Sequence, residues 1–194
     1  MPRLVVVVAV SYLLGCAVAG YYLVRALRGG DVRLTGSGNA GARNVQRVHG
    51  RGIAAVTLLA DAGKAALAVA IARLMLHADW AAPLALVMVI AGHVWPVQLG
   101  FRGGKGAASA AGGFLAMDPT AAAIALSVGL VLLLVTRRFT ASGLAAVAVA
   151  PITLAVLQRG WAVTTLTAVA MAIVLAAHTP RADARRRAVV EAQR

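Results

Sequence analysis

Long apolar stretches separated by short polar ones dominate the chain. Residues 4–24, 53–76, 81–97, 120–136, 139–157 and 161–177 are runs of mostly Ala, Val, Leu and Ile. Each approaches the roughly 20 residues that one helix needs to cross a bilayer. A further run, 107–117, is too short to span as a regular helix and is full of Ala and Gly. Small residues allow close approach, so this segment suits a half-length helix packed inside the protein. Asp118-Pro119 then breaks the chain before the next run. The pattern predicts an all-α membrane protein with about seven transmembrane helices. Residues 1–180 would form one polytopic domain and residues 181–194 a basic tail.

Composition leaves no soluble alternative. Apolar residues make up 61% of the chain and charged ones 13%, with a mean hydropathy of +0.84. A soluble domain is roughly 45–50% apolar and about 25% charged. Residues 17–19 (Ala-Val-Ala) suit a signal-peptide cleavage site, but apolar character continues past them through Tyr22 and Leu23. The first run is therefore expected to stay as a helix.

Charge gives the orientation. The 19 Lys and Arg against 6 Asp and Glu give a net charge of +13, which in a soluble protein would suggest nucleic acid. Here aromatics are only 5% and do not alternate with the arginines, so no nucleic-acid partner is expected. With the N-terminus outside and seven crossings, fifteen basic residues fall on cytoplasmic segments and two, Arg3 and Arg159, on external ones. Cytoplasmic loops carry just such an excess. The C-terminal arginines would then face anionic headgroups of membrane lipids.

Two polar stretches carry candidate chemistry. The first, residues 35–47, matches GxGxxG at Gly36, Gly38 and Gly41, but a membrane helix precedes it where a dinucleotide fold needs a strand. What remains is an anion cradle of backbone amides at glycines, with Ser37, Asn39 and Asn44 as neutral donors and Arg43 and Arg47 as charges. The second, residues 92–106, resembles a P-loop, but its glycine spacing is one short and Gly106 replaces the metal-binding hydroxyl residue. A metal-free phosphate cradle is expected there, with Lys105 as point charge and the amides of Gly103 and Gly104 as donors. His93 is either a general base or a structural donor near a helix break. Asp61 and Lys64, three apart on one helix face, form either a structural ion pair or a pair with a substrate-facing lysine. The single Cys16 excludes a disulfide framework, and no cluster of His and carboxylates suits a divalent metal.

Taken together, SGNAGARNVQR, the Asp61/Lys64 pair and GHVWPVQLGFRGGKGAAS resemble the PlsY family, the bacterial acyl-phosphate:glycerol-3-phosphate acyltransferases. The resemblance implies a seven-helix protein of the bacterial cytoplasmic membrane. It implies acyl transfer from acyl phosphate to glycerol 3-phosphate, giving 1-acyl-glycerol-3-phosphate for phospholipid synthesis, with no metal or nucleotide cofactor. Ser37, Arg47 and Lys105 match positions that hold the substrates' phosphates and take part in catalysis, and His93 is a further catalytic candidate. Gly38, Asn39, Gly41, Asn44, Lys64, Gly103, Gly104, Ser142 and His178 are the expected substrate-binding residues. The chain departs from the family pattern at Ala40, Arg43 and Ala65, and its tail lacks an Asn after His178.

The expected chemistry suits these residues. An acyl phosphate is a mixed anhydride, so the protein's main task is to bring two anions together and orient a hydroxyl on the acyl carbon. No Cys or Ser is flanked by a convincing base, which favours direct transfer over an acyl-enzyme. A catalytically inactive lipid-binding relative, or a transporter of a phosphorylated small molecule, would share many of these features. A transporter would more often show two related halves, and none is seen here.

Overall fold

The computed structural model describes residues 1–192; Gln193 and Arg194, at the end of the expected tail, lie outside the described residues. Ten α-helices and two short 3-10 turns make up its regular structure, with no strand among the described residues. Four helical stretches are long and apolar enough to cross a membrane: α4 (Arg51–Leu76), Ala81–Leu99, which contains α5 (Ala81–Val94), α7 (Pro119–Thr136) and α8 (Phe139–Val156). Shorter apolar helices are α6 (Ala107–Met117) and α9 (Trp161–Ala177).

The first apolar run, expected as one continuous helix, is broken. It forms α1 (Pro2–Cys16) and α2 (Ala19–Arg28), bent by 41° at the break. Counted as one span, this pair is a fifth candidate crossing. A break leaves backbone groups without helical partners, and inside a bilayer each unpaired group costs several kcal/mol. Side chains from two other segments supply the partners. Lys64 Nζ donates to the carbonyls of Gly15 (3.0 Å) and Ala17 (2.8 Å). Gln98 Nε2 donates to the Cys16 carbonyl at 2.7 Å, and Asp61 Oδ1 accepts from the Ala19 amide at 3.3 Å.

Small residues set the helix spacing. A Cβ on Gly15 would lie 2.2 Å from the Val89 carbonyl oxygen, and one on Gly92 would lie 2.1 Å from that of Tyr12. α1 and α5 therefore cross backbone against backbone. The same logic applies to the expected half-length helix: in α6, a Cβ on Gly112 would lie 2.4 Å from the Ala62 carbonyl oxygen. Beyond α6, Asp118 caps α7 by accepting from the Ala121 amide at 2.9 Å, with Pro119 in the first turn. Asp118 also pairs with Arg159 at 2.7 Å. Arg73 donates to the carbonyls of Ala116 and Met117 at the end of α6.

The close crossing yields a test. Gly92→Ala should destabilise the protein by about 1–3 kcal/mol, the usual cost of overpacking, because only main-chain atoms stand in the way. Gly63→Ala, where nothing lies within 4 Å, should be neutral or stabilising. Thermal unfolding in detergent compares them, and equal midpoints for the two variants would refute the close-crossing account.

Candidate functional site

The first polar loop is built around Asn44. The Asn44 side chain is 2% exposed; its Oδ1 accepts from the Ser37 amide at 2.8 Å, while Nδ2 donates to the carbonyls of Val32 (3.1 Å) and Thr35 (3.0 Å). Asn44 was expected among the donors to substrate, but its amide is occupied in shaping the loop. Gly36 has φ +59°, and a Cβ there would lie 2.3 Å from Asn44 Oδ1, so a glycine is needed. Gly41 ends the loop as the N-cap of α3 (Ala42–His49), its carbonyl accepting from the amides of Asn44 and Val45. Ser37 is half-buried, and its hydroxyl has no hydrogen-bond partner among the described residues.

The second loop is held against the end of α5. The Gly103 amide donates to the Val94 carbonyl (3.1 Å) and the Gly104 amide to that of His93 (3.0 Å). These two amides, expected to face an anion, are therefore occupied by the loop itself. Glycine is required for a different reason. A Cβ on Gly103 would lie 2.0 Å from the His93 carbonyl oxygen, and one on Gly104 would lie 2.0 Å from His93 Nε2.

His93 connects this loop to a buried polar node. Lys64 Nζ lies 2.8 Å from Asp61 Oδ1 and 2.9 Å from His93 Nδ1, and all three side chains are less than 10% exposed. An ammonium has three N–H groups, and here four acceptors (counting the Gly15 and Ala17 carbonyls) share them. Lys64 thus directs its donors to partners inside the protein, as a structural ion pair does. His93 Nδ1 also lies 3.5 Å from Asp61 Oδ1, so both members of the pair hold the ring.

Two arginines join the loops. Arg33 Nη1 donates to the carbonyls of Leu99 (2.8 Å) and Arg102 (3.1 Å), while its Nη2 pairs with Asp31 at 2.8 Å. The guanidinium also lies 4.7 Å from the Tyr21 ring centroid. Partial burial would raise the Asp31 pKa, but the hydrogen bonds and charge of Arg33 outweigh it and hold the carboxyl below its ordinary value. On the other side, Arg186 Nη1 donates to Asn39 Oδ1 (3.0 Å) and the Gly103 carbonyl (2.8 Å), and Nη2 to the Gly104 carbonyl (3.1 Å). Arg186 lies on α10 (Pro180–Glu191), which Thr179 caps from Oγ1. Gly38, at φ +69°, lets α10 approach: a Cβ there would lie 3.0 Å from the Arg186 carbonyl oxygen.

The remaining expected residues divide. Lys105 is partly buried and pairs with Asp183 of α10 at 2.6 Å. Arg47 is exposed and has no ion-pair or hydrogen-bond partner among the described residues. Its helix neighbour Arg43 is directed elsewhere, donating to Thr140 Oγ1 and lying 5.5 Å from the Phe139 ring centroid. Ser142 is buried, its hydroxyl 3.5 Å from that of Thr136, at the junction of α7 and α8. His178 Nδ1 donates to the Val174 carbonyl at 2.7 Å. A cavity of about 400 Å³ lies at the other end of α4, lined by Arg73, His77, Asp79, Asp118 and Arg159, away from both loops.

Arg33 and Arg186 were not among the expected site residues. Asp183, Arg186 and Val190 do recur at i, i+3 and i+7 after the Thr179-Pro180 start signal, a helical face that the sequence displays. Arg33 carries no comparable signal.

His178 gives this end of the molecule a pH dependence. Burial pushes its pKa below the ordinary histidine value; the Val174 carbonyl and Asp183 oppose the shift, while Lys105 and Arg186 add to it. The neutral ring is therefore favoured in the folded state. Its contribution to stability is complete above the unfolded-state pKa of about 6.5 and is lost as pH falls through the depressed folded value. Thermal midpoints measured between pH 8 and pH 5 should fall less for His178→Gln than for the wild type, and parallel profiles would contradict this.

The sequence pattern of the family described as glycerol-3-phosphate acyltransferase matches residues 5–186. A protein of Desulfitobacterium hafniense named glycerol-3-phosphate acyltransferase 1 is 45% identical over 168 residues, covering 87% of this chain and 83% of its own. A glycerol-3-phosphate acyltransferase of Geobacter sulfurreducens is 38% identical over 174 residues, covering 89% of each chain. Among solved structures, PlsY, an integral membrane glycerol 3-phosphate acyltransferase in its glycerol 3-phosphate form, superposes with a TM-score of 0.85 at 30% identity. That match covers 97% of this chain and 93% of the other. The PlsY lysophosphatidic acid form gives a TM-score of 0.83 at 28% identity, covering 94% and 91%. With the family pattern spanning nearly all of its length, this multi-pass membrane protein belongs to the glycerol-3-phosphate acyltransferase family.

Proposed function

We propose that this protein transfers a fatty acyl group from acyl phosphate to sn-glycerol 3-phosphate, giving 1-acyl-glycerol-3-phosphate and phosphate for phospholipid synthesis. The observation that carries this reading is the joining of two polar loops by Arg33 and Arg186, with Arg47 on α3 directly after the first and Lys105 on the second. Each substrate brings a phosphate, and each segment brings a cation. The relatives named above support the acceptor, since one related structure holds glycerol 3-phosphate and another lysophosphatidic acid.

In this mechanism Ser37, Arg47 and Lys105 hold the phosphates close together against their repulsion, in a site where fixed donors need no reorganisation. Gly38 and Asn39 admit and anchor α10, and Gly41 opens the first turn of α3. The acceptor hydroxyl oxygen attacks the acyl carbon, forming the new ester as the bond from acyl carbon to phosphate oxygen breaks. The hydroxyl proton passes to an oxygen of the departing phosphate; His93 is buried, with its Nδ1 against Lys64 and Asp61. His178 and Ser142 are proposed to line the site's edges. The topology proposed with it has seven crossings, the N-terminus outside and the C-terminus cytoplasmic. The two shorter apolar helices and the bent pair then complete the count, in a bacterial cytoplasmic membrane. The fifteen-to-two division of basic residues supports that orientation.

Purified protein should form lysophosphatidate from acyl phosphate and glycerol 3-phosphate, with or without EDTA, and none from acyl-CoA. Arg47→Ala and Lys105→Ala should each lower turnover by at least about a hundredfold, the scale of losing one preorganised donor. Product from acyl-CoA alone would overturn the donor. No product from either would favour an inactive lipid-binding relative.

A further inference from the structure

Lys105 does not stand bare. Asp183 Oδ1 lies 2.6 Å from its Nζ, so the ammonium assigned above to a substrate phosphate already carries an anionic partner. The two claims compete for one cation. We propose that Asp183 is a positioning counterion: it occupies Lys105 while the site is empty, yields to the phosphate group of a substrate, and returns as phosphate product leaves. The proposal rests on the phosphate-binding reading of Lys105.

Three observations fit this exchange. The side chain of Asp183 is 38% exposed and that of Lys105 17%; the carboxylate reaches water without crossing the protein interior, and a pair with one member at the surface is weak enough to be displaced. The helix that carries it does not depend on it, because Arg186, one turn further on, is fastened separately to Asn39, Gly103 and Gly104. Among the described residues, Arg186 and His178 both feel the Asp183 charge, and each also feels a neighbouring cation.

Tight ground-state binding of a phosphate adds nothing to turnover once the site is filled. A carboxylate that reclaims the lysine weakens ground-state binding of every phosphate and speeds exchange. Asp183 thereby sets how tightly the site grips a phosphate, without contacting the reacting carbon.

The sign of the effect separates this role from a structural one. Binding of inorganic phosphate to the full-length protein in detergent, followed by phosphorus NMR, should tighten up to about fivefold in Asp183→Asn, the scale of removing a pair with one member at the surface. The KM for glycerol 3-phosphate should fall in the same direction, and Asp183→Glu should keep the wild-type affinity. Were Asp183 only a brace for α10, its loss would loosen Arg186 and weaken phosphate binding instead. Unchanged or weaker binding in Asp183→Asn, with binding still dependent on Lys105, overturns this proposal alone. Phosphate binding indifferent to Lys105→Gln overturns the reading of Lys105 and this proposal with it.

Discussion

The Lys64 ammonium, shared among the Asp61 carboxylate, the His93 ring and two main-chain carbonyls, is the interaction on which the rest of the molecule depends. A buried charge is costly unless it is paired and its remaining hydrogen-bonding capacity is filled. Here the partners are the carbonyls that a broken helix leaves open, so two expensive features cancel each other. The break turns α2 away from α1 and carries the chain to the first loop. The same ammonium fixes His93, whose carbonyl and ring edge lie against Gly104 of the second loop. One lysine thereby sets the starting geometry of both loops.

Arginine performs the joining that lysine does not. Arg33 and Arg186 each present a planar fork to acceptors that lie on separate segments, a task suited to several N–H groups in fixed geometry. Arg33 divides its donors between the Asp31 carboxylate and the Leu99 and Arg102 carbonyls, and Arg186 between the Gly103 and Gly104 carbonyls and the Asn39 side chain. Arg47 and the Ser37 hydroxyl have no partners among the described residues. The glycines serve shape more than donation: at Gly36, Gly103 and Gly104 any side chain would strike the loop's own supports.

Much of this was legible in the sequence, for a physical reason in each case. Runs of apolar residues near bilayer length predict helices, because lipid offers no other partner for the backbone. The shortness of α6 was visible for the same reason. The break after Cys16 was not, since residues 15–19 are as apolar as their surroundings and the partners that permit it lie more than forty positions away at Asp61, Lys64 and Gln98. Composition of the loops pointed to anion binding, but which amides remain free depends on where Val94 and His93 direct their carbonyls. The arginines beyond residue 180 read as a run facing lipid headgroups. The i, i+3, i+7 face of Asp183, Arg186 and Val190 sets Arg186 apart, but only the packing of α10 against Gly38 shows what that face meets.

The central claim is that two phosphate-bearing substrates are seated together, one cation-bearing segment to each, and react directly. Initial rates measured over a grid of acyl phosphate and glycerol 3-phosphate concentrations test this most directly. Double-reciprocal lines that intersect are expected, because a ternary complex must form before the acyl group moves. Parallel lines, the sign of an acyl-enzyme formed before the acceptor binds, would contradict it.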